Sequence, residues 1–251
     1  MTSVHPPGNV PELPRAVLFD LDGTLIDSAP DLRASINILL RQHGLGPLSL
    51  EQVRGMIGNG IGTLVERAFD SCGHPLAGEE LDAGHAAMLD IYGGHLTTFT
   101  KPMPGARAAI RSLHAEGFRV GVVTNKQQAA AERILDHFAL SPFLGTVIGG
   151  NPGTNPKPAP DMLLRALDRL GVEPGNAVMV GDSGIDIEAA HRAGLPAVVV
   201  LNGYMRSSEE VGDADLTIAT LEECISAVGA IWMLGRERLP KLAWAKRPPR
   251  D

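Results

Sequence analysis

Short runs dense in Val and Ile recur along the chain, separated by longer stretches in which apolar residues return every three or four positions. Strand-like runs are AVLFD (16 to 20), FRVGVVT (118 to 124), GTVIGG (145 to 150), AVMVGD (177 to 182) and PAVVVLNG (196 to 203), with DLTIA (215 to 219) as a weaker sixth. Near-continuous apolar runs of this kind suit parallel strands covered on both faces. Helical periodicity covers roughly 105 to 116, 127 to 138, 160 to 170, 185 to 193 and 221 to 232. Gly117, Gly171 and Gly194 each follow a periodic segment, where a helix commonly ends in a left-handed residue. The alternation predicts an α/β fold: a doubly wound, mainly parallel, Rossmann-like sheet with its ligand site at the carboxyl ends of the strands.

The alternation breaks after the first strand and resumes only near residue 103. The interval 27 to 102 reads as helical throughout, without a credible strand. Ser28 with Asp31, and Ser49 with Gln52, have capping-box spacing, and Leu32, Ile36, Leu39 and Leu40 form an amphipathic stripe. Further helices are expected near 63 to 70 and 79 to 92. This predicts an inserted α-helical cap domain (27–102) on a core formed by 15–26 and 103–231, crossed near Asp27 and at Thr100 to Pro104. Residues 1–14 read as a flexible arm. The tail 232–251, with six basic and two acidic residues, reads as a solvated extension in which Trp232 and Trp244 pack locally.

Composition narrows the function. The chain has 251 residues, 44% apolar and 20% charged, enough for a full core. A formal net charge of −7 argues against nucleic acid or an anionic membrane as partner, so any phosphate site must be focal. Cys72 and Cys224 lie far apart, which fits two buried thiols in a reducing cytoplasm. No apolar run approaches membrane-spanning length, and the N-terminus lacks a secretory pattern. The oligomeric state, monomer or homodimer, is left open.

The chemistry concentrates at strand ends. VLFDLDGTLIDS places Asp20 and Asp22 at period two after the first strand, so that both point the same way, and Gly23 permits a sharp turn. One carboxylate can attack while the other exchanges protons. Thr124 and Asn125 close another strand and can bond anionic oxygens without adding charge. Lys157 is held between Pro156 and Pro158. Asp182 ends a fourth strand, with Asp186 four residues on. Acids from two strand tips meeting in one crevice form an oxygen-rich site suited to Mg²⁺. Hard-cation ligands, a nucleophilic carboxylate, a proton-transfer carboxylate, a fixed cation and neutral donors together match the needs of phosphoryl transfer to or from a small phosphorylated metabolite, with Asp20 attacking in line.

These residues carry a resemblance. DLDGTLIDS, VVTN, Lys157 in NPKPAP, and GDSGIDI are similar, in order, to the four motifs of the haloacid dehalogenase superfamily of phosphohydrolases. APDL, IGNG, TNK, IGGN and PAVVVLNGY resemble, more narrowly, bacterial phosphoglycolate phosphatases. The resemblance implies a Mg²⁺-dependent phosphomonoester hydrolase working through an aspartyl-phosphate on Asp20, with 2-phosphoglycolate as substrate. It implies that Asp22 protonates the leaving alkoxide and then activates water. It further implies that the ion is held by the Asp20 side chain, the Asp22 main-chain carbonyl and Asp182, with Asp186 in support. Gly184 and Ile185 depart from the Arg-Asn of many relatives in the fourth motif. Arg54 and Asn59, around GNG, are candidates for facing the organic part of the substrate. A sugar phosphomutase shares this core, and a signalling receiver domain also gathers strand-end acids, a Thr and a Lys, although it is about half this size and has no inserted cap.

Overall fold

The computed structural model describes residues 15–151, 153–205 and 211–234. Six strands form one sheet: β1 (Ala16–Phe19), β4 (Arg119–Gln127), β5 (Thr146–Gly150), β6 (Ala177–Gly181), β7 (Ala197–Val200) and β8 (Leu216–Ile218). Their order is β5-β4-β1-β6-β7-β8, and every pairing is parallel. The expected doubly wound α/β sheet is therefore present, with β1 at its centre.

Strand alternation sorts the core into two layers. Val17 and Phe19 join Val120, Val122, Val178 and Val180 on one face. There they meet α5 (Ala106–Ala115), α6 (Gln128–His137) and α9 (Cys224–Leu234). Ala16, Leu18, Met179 and Val199 turn to the other face, against α7 (Asp161–Leu170) and α8 (Gly184–Arg192). Helices on both faces let the strands be apolar at every position, which is why the Val runs carry no polar alternation. Gly117, Gly171 and Gly194 follow α5, α7 and α8 with positive φ, as their positions predict.

Between β1 and α5 the chain forms α1 (Ala29–Gln42), α2 (Leu50–Arg54), α3 (Gly60–Ser71) and α4 (Glu79–Gly93). Ile36, Leu39 and Leu40 are fully or almost fully buried among them. Burial of each such side chain stabilises by about 1.5–3 kcal/mol relative to exposure. Their cluster is continuous with the first core face through Leu21, Leu25 and Ile26.

Three expectations need correction. The interval is not free of strand: β2 (Ile26–Asp27) and β3 (Lys101–Pro102) pair antiparallel where the chain leaves and returns. Two residues per strand are too few to show a period of two. The Ser49–Gln52 capping box forms, whereas Ser28–Asp31 does not. Ser28 has helical rather than extended dihedrals (φ −94°, ψ −5°) and its hydroxyl bonds Asp22 instead. The buried Asp31 carboxylate accepts from Thr100 N at 2.8 Å and Thr100 Oγ1 at 2.7 Å, stitching the return crossing to α1. Cys224 is buried but Cys72 is only partly so. The arm 1–14, most of the basic tail and Trp244 lie outside the described residues. Trp232 packs against Phe118, ring centroids 5.3 Å apart.

Candidate active site

Sheet register assembles the site. Phe19 is level with Val122 of β4 and Val180 of β6, so Asp20, Thr124 and Asp182 emerge from adjacent strand ends. The Asp20 amide continues the ladder by donating to Val180 O at 2.9 Å. Beyond Asp20 the chain leaves the strand and turns back, with Leu25 N and Ile26 N both donating to Leu21 O. Gly23 makes this possible: its φ is +87°, and a Cβ there would lie 2.2 Å from Asp182 Oδ2.

Asp20, Asp182 and Asp186 each bring a carboxylate oxygen within 4.8 Å of the others. Lys157 Nζ lies 2.8 Å from Asp20 Oδ1 and 2.7 Å from Asp186 Oδ1. Asp186 is otherwise occupied: its Oδ2 accepts from Ser183 Oγ at 2.8 Å and from the amides of Asp182 and Ser183, as the third-position partner in a capping box whose N-cap is Ser183. Asp182 Oδ2 accepts from Tyr204 N at 2.6 Å, and its Oδ1 has only a long contact of 3.4 Å from Thr24 Oγ1.

Charge is frustrated in this cluster. Burial pushes the Asp20 carboxyl up to about 6, with Lys157 pulling the other way and Asp186 adding to the rise. Burial likewise raises Asp182 well above the ordinary carboxylate range, and its neighbours Asp186 and Asp20 reinforce the shift. Burial works against the Lys157 charge, but Asp186 and Asp20 outweigh it and hold the ammonium above the usual lysine range. Three buried acids facing one ammonium are short of positive charge. Hard oxygen donors at this spacing fit a small divalent cation such as Mg²⁺, which would relieve the repulsion.

The Asp22 side chain faces the same cleft but not the same partners. Both Asp20 and Asp22 line two adjoining cavities of about 120 and about 300 Å³. The Asp22 carboxylate, however, holds Lys126 Nζ at 2.9 Å (Oδ1) and 3.2 Å (Oδ2) and accepts from the Ser28 hydroxyl. Only its main chain is therefore a candidate for the metal.

Thr124 is buried and lines the smaller cavity beside both acids. Asn125 is used differently from expectation. Its Nδ2 donates to Lys157 O at 3.0 Å and Gly58 O at 3.1 Å, while its Oδ1 accepts from Lys157 N at 2.8 Å. The amide fixes the Lys157 backbone and ties it to the helical insertion. Arg54 pairs with Asp27 Oδ2 at 2.8 Å, and Asn59 is exposed ahead of α3. Neither lines the two cavities; Ile57, Gly58, Gly60 and Ile61 do.

Two residues at the site were given no role by the sequence. Lys126 stands directly after Thr-Asn in TNK, and Tyr204 closes PAVVVLNGY. Tyr204 donates its hydroxyl to Asp27 Oδ1 at 2.6 Å while its amide holds Asp182, linking the crossing to the acid cluster. Lys126 lies among the last residues of β4, and Tyr204 follows β7, so both stand near the carboxyl end of the sheet.

The family model described as haloacid dehalogenase-like hydrolase matches residues 17–200. The chain belongs to that family. The haloacid dehalogenase-like core is shared with a phosphoglycolate phosphatase of Caulobacter vibrioides, 39% identical over 80% of this chain and 85% of the relative. A phosphoglycolate phosphatase of Rhodospirillum rubrum is 40% identical over 77% of this chain and 82% of its own. The crystal structure of a predicted phosphoglycolate phosphatase from Haemophilus somnus superposes with a TM-score of 0.80 at 30% identity, covering 85% of this chain and 97% of that one.

Proposed function

We propose that this protein is a Mg²⁺-dependent phosphomonoester hydrolase that converts 2-phosphoglycolate to glycolate and phosphate. The observation that carries the reading is the convergence of Asp20, Asp182, Asp186 and Lys157 on one buried point beside Asp22. Membership of a hydrolase family and likeness to phosphoglycolate phosphatases support the substrate. No helix among the described residues is long and apolar enough to cross a membrane, which accords with a cytoplasmic enzyme acting on a small metabolite.

The Asp20 side chain, the Asp22 carbonyl and Asp182 would hold Mg²⁺, with Asp186 orienting them. When bound, the ion supplies positive charge to the phosphoryl oxygens and to Asp20. A carboxylate oxygen of Asp20 attacks phosphorus as the ester P–O bond breaks, leaving an aspartyl-phosphate. Asp22 gives its proton to the departing alkoxide oxygen. It then takes a proton from water, whose oxygen attacks phosphorus and restores the Asp20 carboxylate. The Lys157 ammonium and the Thr124 hydroxyl donate to the phosphoryl oxygens, where charge develops. Residues 27–102 act as a cap domain over the core, shielding these steps from solvent.

Asp20→Asn tests the nucleophile. Turnover of an aryl phosphate and of 2-phosphoglycolate with Mg²⁺ should fall by ~10⁴-fold or more, by analogy with loss of other covalent nucleophiles, while circular dichroism reports a folded chain. A folded variant retaining activity within tenfold would refute the role.

A further inference from the structure

Lys126 has no task in the chemistry above, yet its ammonium is buried, only 8% of the residue remaining accessible. Its charge is set inside the smaller cavity, whose walls toward the insertion are Leu32, Ile57, Ile61, Leu64, Leu89 and Leu96. An ammonium carries three N–H donors, and the two oxygens of Asp22 account for two. Its Nζ lies 4.7 Å from the centre of the Tyr92 ring. The Tyr92 hydroxyl, 3% exposed as a residue, is buried with no hydrogen-bond partner of good geometry. Even where the ammonium turns its third N–H toward the phenol oxygen, the Tyr92 O–H donor is left over, and a buried polar donor is costly in a leucine-walled chamber unless a ligand completes it.

We propose that Lys126, with Tyr92, selects a carboxylate on the leaving group, so that the site takes short phosphorylated hydroxy acids over sugar phosphates. The assignment rests on the phosphomonoesterase reading and deepens it. With the phosphoryl group at Asp20, the leaving group extends into this chamber, where the ammonium and the phenol can both donate to one carboxylate. The apolar walls strengthen that charge pair. The leucine and isoleucine walls offer little to the hydroxyls of a sugar; of the polar groups in the same lining, the Asn125 amide is already spent on Gly58 and Lys157, and Arg133 donates to Gly93 O.

The test compares kcat/KM for 2-phosphoglycolate and for 2-hydroxyethyl phosphate, which replaces the carboxylate by a hydroxymethyl group, with an aryl phosphate as a reporter of basic hydrolysis. The wild-type protein should prefer the acid by at least ~100-fold. In Lys126→Met the ratio should fall to within ~5-fold of unity, whatever the absolute rates. Tyr92→Phe, which keeps the ring, should lower the ratio by ~5- to 20-fold and covers the case in which the lysine variant does not fold. Equal kcat/KM for the two esters in wild-type protein that turns over the aryl phosphate would overturn the assignment alone. A parallel loss on both esters in Lys126→Met would do the same, leaving the lysine as a positioning residue for Asp22. Wild-type protein inert toward all three compounds would instead overturn the hydrolase reading on which the assignment rests.

Discussion

Asn125→Ala separates holding a catalytic residue from touching the substrate. The substitution removes three hydrogen bonds at once: from Nδ2 to Lys157 O and Gly58 O, and from Lys157 N to Oδ1. Each contributes about 0.5–1.5 kcal/mol net, and backbone groups left without partners in a part-buried setting add to the loss. A total of about 2–4 kcal/mol follows. For a chain of this size that corresponds to a fall in Tm of roughly 5–15 °C, readable by calorimetry. The activity effect comes through Lys157, whose backbone loses both its anchors. Displacement of a catalytic group by ~1 Å can cost ~10²-fold, so kcat should fall by ~10- to 100-fold while KM changes less than ~3-fold. A variant that melts like the wild type and shows a raised KM with unchanged kcat would refute this reasoning and return Asn125 to the substrate-binding role that its strand-end position suggests.

Chelation of divalent ions should abolish turnover, and Mg²⁺ at about 100 times its Kd should stabilise the chelated protein by ~2.7 kcal/mol; no rise in Tm on adding Mg²⁺ would rule out the acid cluster as its site. In chelated protein burial holds the Asp20 carboxyl up at about 6, against an ordinary value of 3.8. The folded state then binds the proton more tightly, so stability falls as pH rises from about 4 to about 6 and stays lower above. Asp20→Asn removes that loss and should be more stable than wild type at pH 7 by up to ~3 kcal/mol, the difference vanishing toward pH 4; a difference independent of pH would contradict the shift. Gly23→Ala meets both a φ of +87° and a contact of 2.2 Å with Asp182 Oδ2, so it should lose about 2–4 kcal/mol and weaken Mg²⁺ binding at least ~10-fold, measured by calorimetric titration; an unchanged Mg²⁺ titration would mean that the turn can shift without moving Asp182.

What was legible in the sequence follows from which forces act locally. The Val runs around 17, 122, 147, 180 and 199 announce strands buried on both faces, because only such strands tolerate unbroken apolarity. Site residues at strand tips were legible through the same rule, since parallel register alone brings residues 20, 124 and 182 together. Ser28–Asp31 and Ser49–Gln52 show where local spacing stops being sufficient. Both have capping-box spacing, yet only the second is an isolated helix start; the first sits at a crossing where Asp22 and Thr100 compete for its side chains and win. The partners of Asn125 are not legible in the sequence, because the carbonyls of Gly58 and Lys157 reach it from segments 67 and 32 residues away.

Lys126 is the most instructive omission. A lysine just ahead of a helix ordinarily points into solvent, and nothing in TNK distinguishes it from that case. Here the helical insertion closes over it: Leu32 of α1, Ile61 and Leu64 of α3 and Tyr92 of α4 wall the chamber, while the lysine itself comes from β4. Its burial is therefore a property of two segments folding against each other, and so is the strength of any charge pair it makes. The core supplies a chemistry indifferent to what the phosphate is attached to. Discrimination requires a charge in an apolar space, and among the described residues the chamber around Lys126 supplies one where insertion meets core. Specificity in this fold should accordingly respond to substitutions in the apolar lining, such as Leu64 or Leu96, that leave the acid cluster untouched.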